Sequence, residues 1–366
     1  FQSAREQQRW GRPARVAVVG AGLVGASVAL QAQSALPPGS SVTIIADAFN
    51  AGTTSWVAAG AFRVESVEEL SPDSPDRAER WCRDSLRHLS RLAFGPAGPR
   101  AGVAPLPIVQ VAREPPPRRR YAYSDMAPGG CRELTPEELL TQFPDWPGGL
   151  GFGIESLSVL ADPRLYLPWL LDQFLAAGGR IERRRVASLE EAGAGADLVF
   201  NCAGLEAGRL AGGDPAVHPV RGQVARVRAP WLKRGFYGPD STYAYPSAAP
   251  GDLATVGGVR QAGDYCLTAR ESDAADIRTR AVRLLPGLAA AFADSDGRPG
   301  ATGATSTSQP DFVGLRPARH GGIRVAAEGY AVHCYGHGGH GVALSWGTAA
   351  EAVELGLARL DGGAKL

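Results

Sequence analysis

The run Arg15-Val16-Ala17-Val18-Val19-Gly20-Ala21-Gly22-Leu23-Val24-Gly25 constrains the fold of this chain more than any other feature. Its first five residues suit a short strand buried in a parallel sheet. Glycines then follow at fixed spacing, Ala26 to Gln33 continues as a helix, and a second apolar run, Val42 to Ala46, ends in Asp47. That is the strand, G-x-G-x-x-G, helix, strand, acid order of a Rossmann unit. Gly20 allows the tight turn, Gly22 lets backbone approach a pyrophosphate, and Gly25 lets the helix pack on the strand. Asp47 is placed to accept a hydrogen bond from a ribose hydroxyl. The motif does not separate FAD from a nicotinamide dinucleotide.

The same region imitates a secretory signal. No charge falls between Val16 and Ala46, Arg12 and Arg15 precede it, and it runs into Ala32-Gln33-Ser34-Ala35. A signal needs only greasiness, whereas the glycine spacing needs a phosphate-binding turn. No stretch is long and apolar enough to span a bilayer. The balance of 38 Lys+Arg against 37 Asp+Glu leaves no electrostatic footprint for nucleic acid or an anionic membrane, so the expected partner is a small molecule. Cys82, Cys131, Cys202, Cys266 and Cys334 are odd in number and widely spread, which suggests neither a disulfide framework nor a zinc ribbon and fits a reducing or neutral compartment. Phe1-Gln2-Ser3 reads as the residue of a cleaved tag and is left out of fold reasoning.

A length of 366 residues suggests two compact units. Asp162-Pro163-Arg164 opens a helical segment to Ala177, which Gly178-Gly179 ends; Ile181 to Val186 and Asp197 to Asn201 then read as strands. Two intervening stretches are richer in Pro, Arg and strand-like runs such as Ile108 to Val111, Gly222 to Val224 and Ala254 to Val256. The expected organisation is α/β: a Rossmann-like domain from residues 14–65, 154–212 and 311–366, with a second, mixed-sheet substrate domain from 66–153 and 213–310. Pro115-Pro116-Pro117 followed by Arg118-Arg119-Arg120 reads as an exposed linker.

Near the C-terminus, Val332-His333-Cys334-Tyr335-Gly336-His337-Gly338-Gly339-His340-Gly341-Val342-Ala343 admits two readings. His333, Cys334, His337 and His340 could ligate a metal, since the histidines would share one helical face, but the glycines between them argue against a rigid cage. Alternatively, a glycine loop brings backbone amides to a cofactor and opens into a helix near Val342.

This segment resembles the signature of the D-amino-acid and D-aspartate oxidases. The similarity extends to Gly20 to Gly25 with Asp47, Thr53-Thr54-Ser55 through Val57-Ala58-Ala59-Gly60, Asn201-Cys202-Ala203-Gly204, Arg221-Gly222-Gln223, Ala229-Pro230-Trp231 and Val313-Gly314-Leu315-Arg316-Pro317. The resemblance implies FAD as cofactor and no metal. It places the FAD contacts on Gly20, Ala21, Gly22, Leu23, Val24, Asp47, Thr53, Thr54, Ser55, Ala59, Gly60, Val186, Gly338, Gly339, His340, Gly341, Val342 and Ala343. It also implies that Arg316 holds the substrate carboxylate, that Tyr243 and Tyr245 close the site, and that the Gly339 carbonyl meets the substrate amine. Two departures stand out: His340 replaces other residues of the family, and the histidine that some aspartate oxidases carry after the Ala-Ala-Gly turn is missing.

The implied reaction is oxidative deamination of a D-amino acid by oxygen to a 2-oxo acid, ammonia and hydrogen peroxide. Arg260, in Gly257-Gly258-Val259-Arg260, resembles the D-aspartate branch and implies a preference for acidic D-amino acids; pairing with Asp264 or Asp252 is the alternative, and Arg63 is a rival second cation. A neutral D-amino-acid oxidase and a nicotinamide-dependent dehydrogenase are the other readings. Ala364-Lys365-Leu366 is a variant of the peroxisomal address, implying an import receptor as partner and a peroxisomal location in a eukaryote, against a cytoplasmic one in a bacterium. A homo-oligomer is left open.

Overall fold

The computed structural model describes residues 13–64, 66–115, 130–144, 146–248, 252–296 and 311–361. Most of the Pro-Arg linker and the terminal Ala364-Lys365-Leu366 lie outside them. Along the chain the strands are β1 (Arg15–Val19), β2 (Ser41–Ala46), β3 (Val103–Ala112), β4 (Cys131–Glu133), β5 (Phe152–Ala161), β6 (Arg180–Arg183) and β7 (Leu198–Asn201). They continue as β8 (Val217–Arg228), β9 (Gly235–Tyr237), β10 (Tyr243–Pro246), β11 (Leu253–Gly257), β12 (Gln261–Ala262), β13 (Asp311–Arg319), β14 (Arg324–Glu328) and β15 (Ala331–Tyr335).

The first sheet has the order β14-β15-β7-β1-β2-β6, parallel except for the β14–β15 hairpin. Strand β1 is buried from Val16 onward, as a β-branched run covered on both faces must be. Its turn into the Leu23–Ala35 helix depends on glycine sterics. Gly20 sits at φ +108°, and a Cβ there would lie 2.4 Å from the Cys202 carbonyl oxygen; one on Gly25 would lie 2.0 Å from the Gly20 carbonyl oxygen. The Leu23–Ala35, Pro75–Ala93, Pro163–Ala176 and Gly341–Asp361 helices contribute to the large apolar core that covers this sheet. Trp81 is fully buried there, and its indole N–H donates to Glu351 at 2.6 Å. Burial works against the Glu351 charge, but Arg77, Trp81 and Arg80 outweigh it and hold the carboxyl below its usual range.

The second sheet runs β12-β8-β11-β10-β9-β3-β5-β4, with β13 pairing β8 along its length. It is mixed: β3 and β9 are parallel and the other pairs antiparallel. The chain crosses from one sheet to the other at Gly60, φ +105°, after which Ala61 bridges Leu160 and the Phe62 N–H donates to Val159.

This architecture is the expected α/β class, but three segments fall on the other side of the expected divisions. The Pro75–Ala93 helix, assigned above to the substrate domain, packs in the core of the first sheet because its apolar face carries Trp81, Cys82, Leu86 and Leu89. Strand β5 belongs whole to the second sheet, although the expected division at residues 153 and 154 cuts it. Strand β13 also joins the second sheet, because its partner β8 lies nearly a hundred residues earlier and no local pattern announces the pairing.

Candidate active site

Between the two sheets lies a cleft of about 470 Å³, within the range of small-molecule and cofactor sites. Its first wall is the Rossmann end. Gly20 to Val24, Asp47, Thr53 to Ser55, Ala59, Gly60 and Val186 all line it. The Leu23–Ala35 helix starts after Gly22, with the Leu23 N–H donating to Ser55 Oγ at 3.1 Å and no acidic residue in its first turn, so its amide end suits an anion. Asp47 is exposed at the rim, at the end of β2.

The opposite wall is the C-terminal loop. Gly336 and Gly338 take φ +87° and +54°, a short 3-10 turn spans Gly338–His340, and the final helix begins at Gly341. Gly338 to Ala343 line the same cleft as Gly20. Two glycine loops more than three hundred residues apart thus present backbone to one space, which suits a dinucleotide cofactor. The histidines of this segment have separate duties. His337 Nε2 lies 2.9 Å from Thr348 Oγ1, and His333 faces Asn201 and Glu328. Among the described residues no group of three His, Cys, Asp or Glu side chains could hold a metal ion.

The remaining wall is the second sheet, and here the register puts the chemistry together. Arg316 on β13 faces Val220 on β8, and its guanidinium lies flat over the next in-plane position, Gly222; a Cβ on Gly222 would come within 2.4 Å of both Nη atoms. Arg316 Nη1 donates to the carbonyls of Val259 at 3.1 Å and Arg221 at 3.3 Å, and the guanidinium also hydrogen-bonds Tyr243. Burial pushes its pKa down, Tyr243 opposes this, and Arg260 adds repulsion. Among the described residues no carboxylate forms an ion pair with Arg316. A fixed, desolvated cation of that kind is built for an incoming anion, and its planar fork matches a carboxylate.

Tyr243 and Tyr245, on one face of β10, stack at 5.5 Å, but they do different things. Tyr243 lies across Gly257 and Gly258, where a Cβ on Gly257 would fall 2.4 Å from its hydroxyl, and reaches Arg316. Tyr245 is 1% exposed, packs against Tyr237, and its hydroxyl is pushed well up by burial. Tyr243 is therefore the tyrosine that meets Arg316. Gly339 sits between the two arginine side chains: a Cβ there would lie 3.7 Å from Arg260 Nη2 and 3.8 Å from Arg316 Cδ.

Arg260 is exposed at the cleft lining. The pairing alternative does not hold, because Asp264 takes Arg270 at 2.5 Å and Asp252 takes Arg228 at 3.5 Å. Arg63 also lines the cleft, with Nε donating to Gln110 at 3.1 Å and its guanidinium 4.5 Å above the Tyr237 ring. Tyr237 was not foreseen; it lies on a three-residue strand with no signature of its own. Arg221, part of a motif shared with the resembled family, is fully buried and bound to Asp273, Gln223, Gln261 and the carbonyls of Cys266 and Thr268, so its work is structural.

Comparison with known proteins shows the family. Residues 15–355 match the DAO family model, described as FAD dependent oxidoreductase. The chain is 36% identical over 352 residues to human D-aspartate oxidase, covering 93% of this chain and 94% of that one. It is 34% identical over 357 residues to the D-amino-acid oxidase of Rubrobacter xylanophilus, covering 95% and 97%. Among solved structures, glycine oxidase from Geobacillus kaustophilus shares the fold, with a TM-score of 0.72 at 19% identity over 94% of this chain and 95% of that one.

Proposed function

We propose, on the premise that this chain belongs to the DAO family of FAD-dependent oxidoreductases, that it oxidatively deaminates D-amino acids and takes acidic ones, D-aspartate first. The cofactor is FAD. The overall reaction converts a D-amino acid, oxygen and water into a 2-oxo acid, ammonia and hydrogen peroxide. FAD, when bound between the two glycine loops, supplies the acceptor for the hydride leaving Cα.

The chain's own residues position the substrate. Arg316 grips the α-carboxylate through its free edge, because Val259 and Arg221 already occupy the other. Tyr243 pins that guanidinium and closes over it. Gly339, without a side chain, leaves room between Arg316 and Arg260 for a short dicarboxylate. Orientation of Cα accounts for the catalytic contribution of these groups, and no general base is required of them.

The observation that carries the acidic preference is Arg260, a second guanidinium beside Arg316 that neither nearby acid engages. A substrate carboxylate pairing with it gains what a neutral side chain cannot offer. Losing such a partner costs about 3–5 kcal/mol when the charge is covered, or roughly two to three and a half decades of selectivity. Arg260 starts out exposed, which puts the effect at the lower end of that range.

The test is a panel of D- and L-amino acids read by peroxide release. D-Aspartate is expected to lead, and a D-alanine to D-aspartate activity ratio well above one overturns the acidic preference. Arg316→Ala should remove activity toward all substrates. Arg260→Ala should lower kcat/KM for D-aspartate by about two decades while leaving D-alanine nearly unchanged.

A further inference from the structure

We propose that Cys334 and Cys202 form a peroxide-reactive dithiol site beneath the cofactor cleft, which hydrogen peroxide converts into a disulfide. The strands place them. His333 of β15 pairs in parallel register with Asn201, the last residue of β7; Cys334 follows on β15, and Cys202 is the first residue after β7 ends. Adjacent strands lie about 4.8 Å apart, inside the Cα separation of about 4.4–6.8 Å that a disulfide requires. Both thiols are free and buried, and both line the same cleft.

The surroundings of the two sulfurs differ. Cys334 receives a hydrogen bond from Cys202, and His337 and Thr348 add to it; together these outweigh burial and hold the Cys334 thiol below its usual range. The Cys202 thiol, as the proton holder, is pushed up by that same hydrogen bond and by burial. The remaining buried cysteine, Cys82, has no such partner: desolvation pushes it up to about 12. Thiolate is the reactive form, so Cys334 is the attacking sulfur and Cys202 the resolving one.

The chemistry balances as follows. The Cys334 sulfur attacks one peroxide oxygen, the O–O bond breaks, and the departing hydroxide combines with the proton that the Cys334 thiol gives up, leaving as water. Cys334 is then a sulfenic acid. The Cys202 sulfur attacks that sulfur, the S–S bond forms, the S–O bond breaks, and the hydroxyl leaves with the Cys202 proton as a second water. Two thiols are oxidised and one peroxide reduced.

This modification reaches the cofactor through Gly20, whose turn packs directly on the Cys202 carbonyl. Drawing Cys202 toward β15 shifts the pyrophosphate loop and loosens FAD. As a brake on the chain's own turnover, the device rests on the oxidase reading, because peroxide is its co-product; the dithiol site itself does not.

The experiment treats the FAD-loaded protein with added hydrogen peroxide, blocks remaining thiols with N-ethylmaleimide, and maps peptides without reduction while flavin released on ultrafiltration is measured. The expected result is a linked Cys202–Cys334 peptide, the loss of two thiols and more released flavin, all reversed by dithiothreitol. Cys334→Ser and Cys202→Ser should each abolish the linked peptide and make flavin release insensitive to peroxide. Recovery of both cysteines as thiols while exposed Cys131 is oxidised overturns the proposal, as does a Cys334→Ser protein that still loses flavin to peroxide. Should the variants not fold, the peptide map of the unaltered protein decides. A linked peptide with added peroxide, but no peroxide released from any D-amino acid, would leave the site standing and remove the oxidase reading.

Discussion

Arg316 depends on the absence of a single methyl group beneath it. Gly222 has an ordinary backbone conformation, so Gly222→Ala should fold and keep FAD while its Cβ dislodges the guanidinium. KM for a D-amino acid should then rise about tenfold or more, measured beside flavin content, which should not change. A second residue-scale effect concerns pH. The His88 ring stacks on Trp346 at 3.5 Å and its Nε2 lies 2.9 Å from the Tyr166 hydroxyl. Burial, with Arg91 adding, lowers its pKa to about 3. The folded state therefore keeps His88 neutral while the unfolded chain takes up a proton below about pH 6.5. Its contribution to stability is complete above that value and is lost as pH falls toward about 3. His333, lowered to about 4 by burial and Arg324, acts in the same direction. In His88→Phe, which keeps a ring against Trp346, the slope of unfolding free energy between about pH 6 and 5 should fall by up to ~1.4 kcal/mol per unit, read from denaturant titrations.

At the scale of elements, the site depends on how the final helix is seated. Gly347 lets the Gly341–Asp361 helix lie directly on the Pro75–Ala93 helix: a Cβ there would fall 2.1 Å from the Trp81 carbonyl oxygen, and the Gly347 N–H donates to Ser85 at 2.8 Å. The obstacle is backbone and cannot swing away. Gly347→Ala should lower stability by about 1–3 kcal/mol, visible as an earlier thermal midpoint, and should loosen the Gly338–Ala343 loop that opens this helix. The Rossmann elements were legible because their causes are local: β1 was expected at Arg15 to Val19 and is found there. Strand β6 ends at Arg183, although apolar spacing extended it to Val186; Val186 instead turns in to line the cleft. The expected division gave residues 311–366 to the Rossmann-like domain, and the pairing of β13 with β8 in the second sheet is non-local, so no local pattern announced it.

For the whole molecule, cofactor binding and folding are linked, since the cleft exists only when both sheets are formed. FAD at a hundredfold excess over its Kd should add about 2.7 kcal/mol of stability, seen as a shifted denaturation midpoint, while a nicotinamide dinucleotide should add none. An equal shift from both would contradict the assignment of the cleft to FAD.

The glycine sterics at Gly20 and Gly25, the buried strand before them and the glycine loop before the last helix act over a few residues, so the primary sequence alone determined a dinucleotide fold and its cofactor end. The substrate end was different. That Arg316 lies over Gly222, that Tyr243 and not Tyr245 meets it, and that Cys334 comes to rest beside Cys202 all follow from strand register between segments far apart in the chain. Register is decided by the summed burial of whole sheets, so only the tertiary structure could settle which side chains share the cleft.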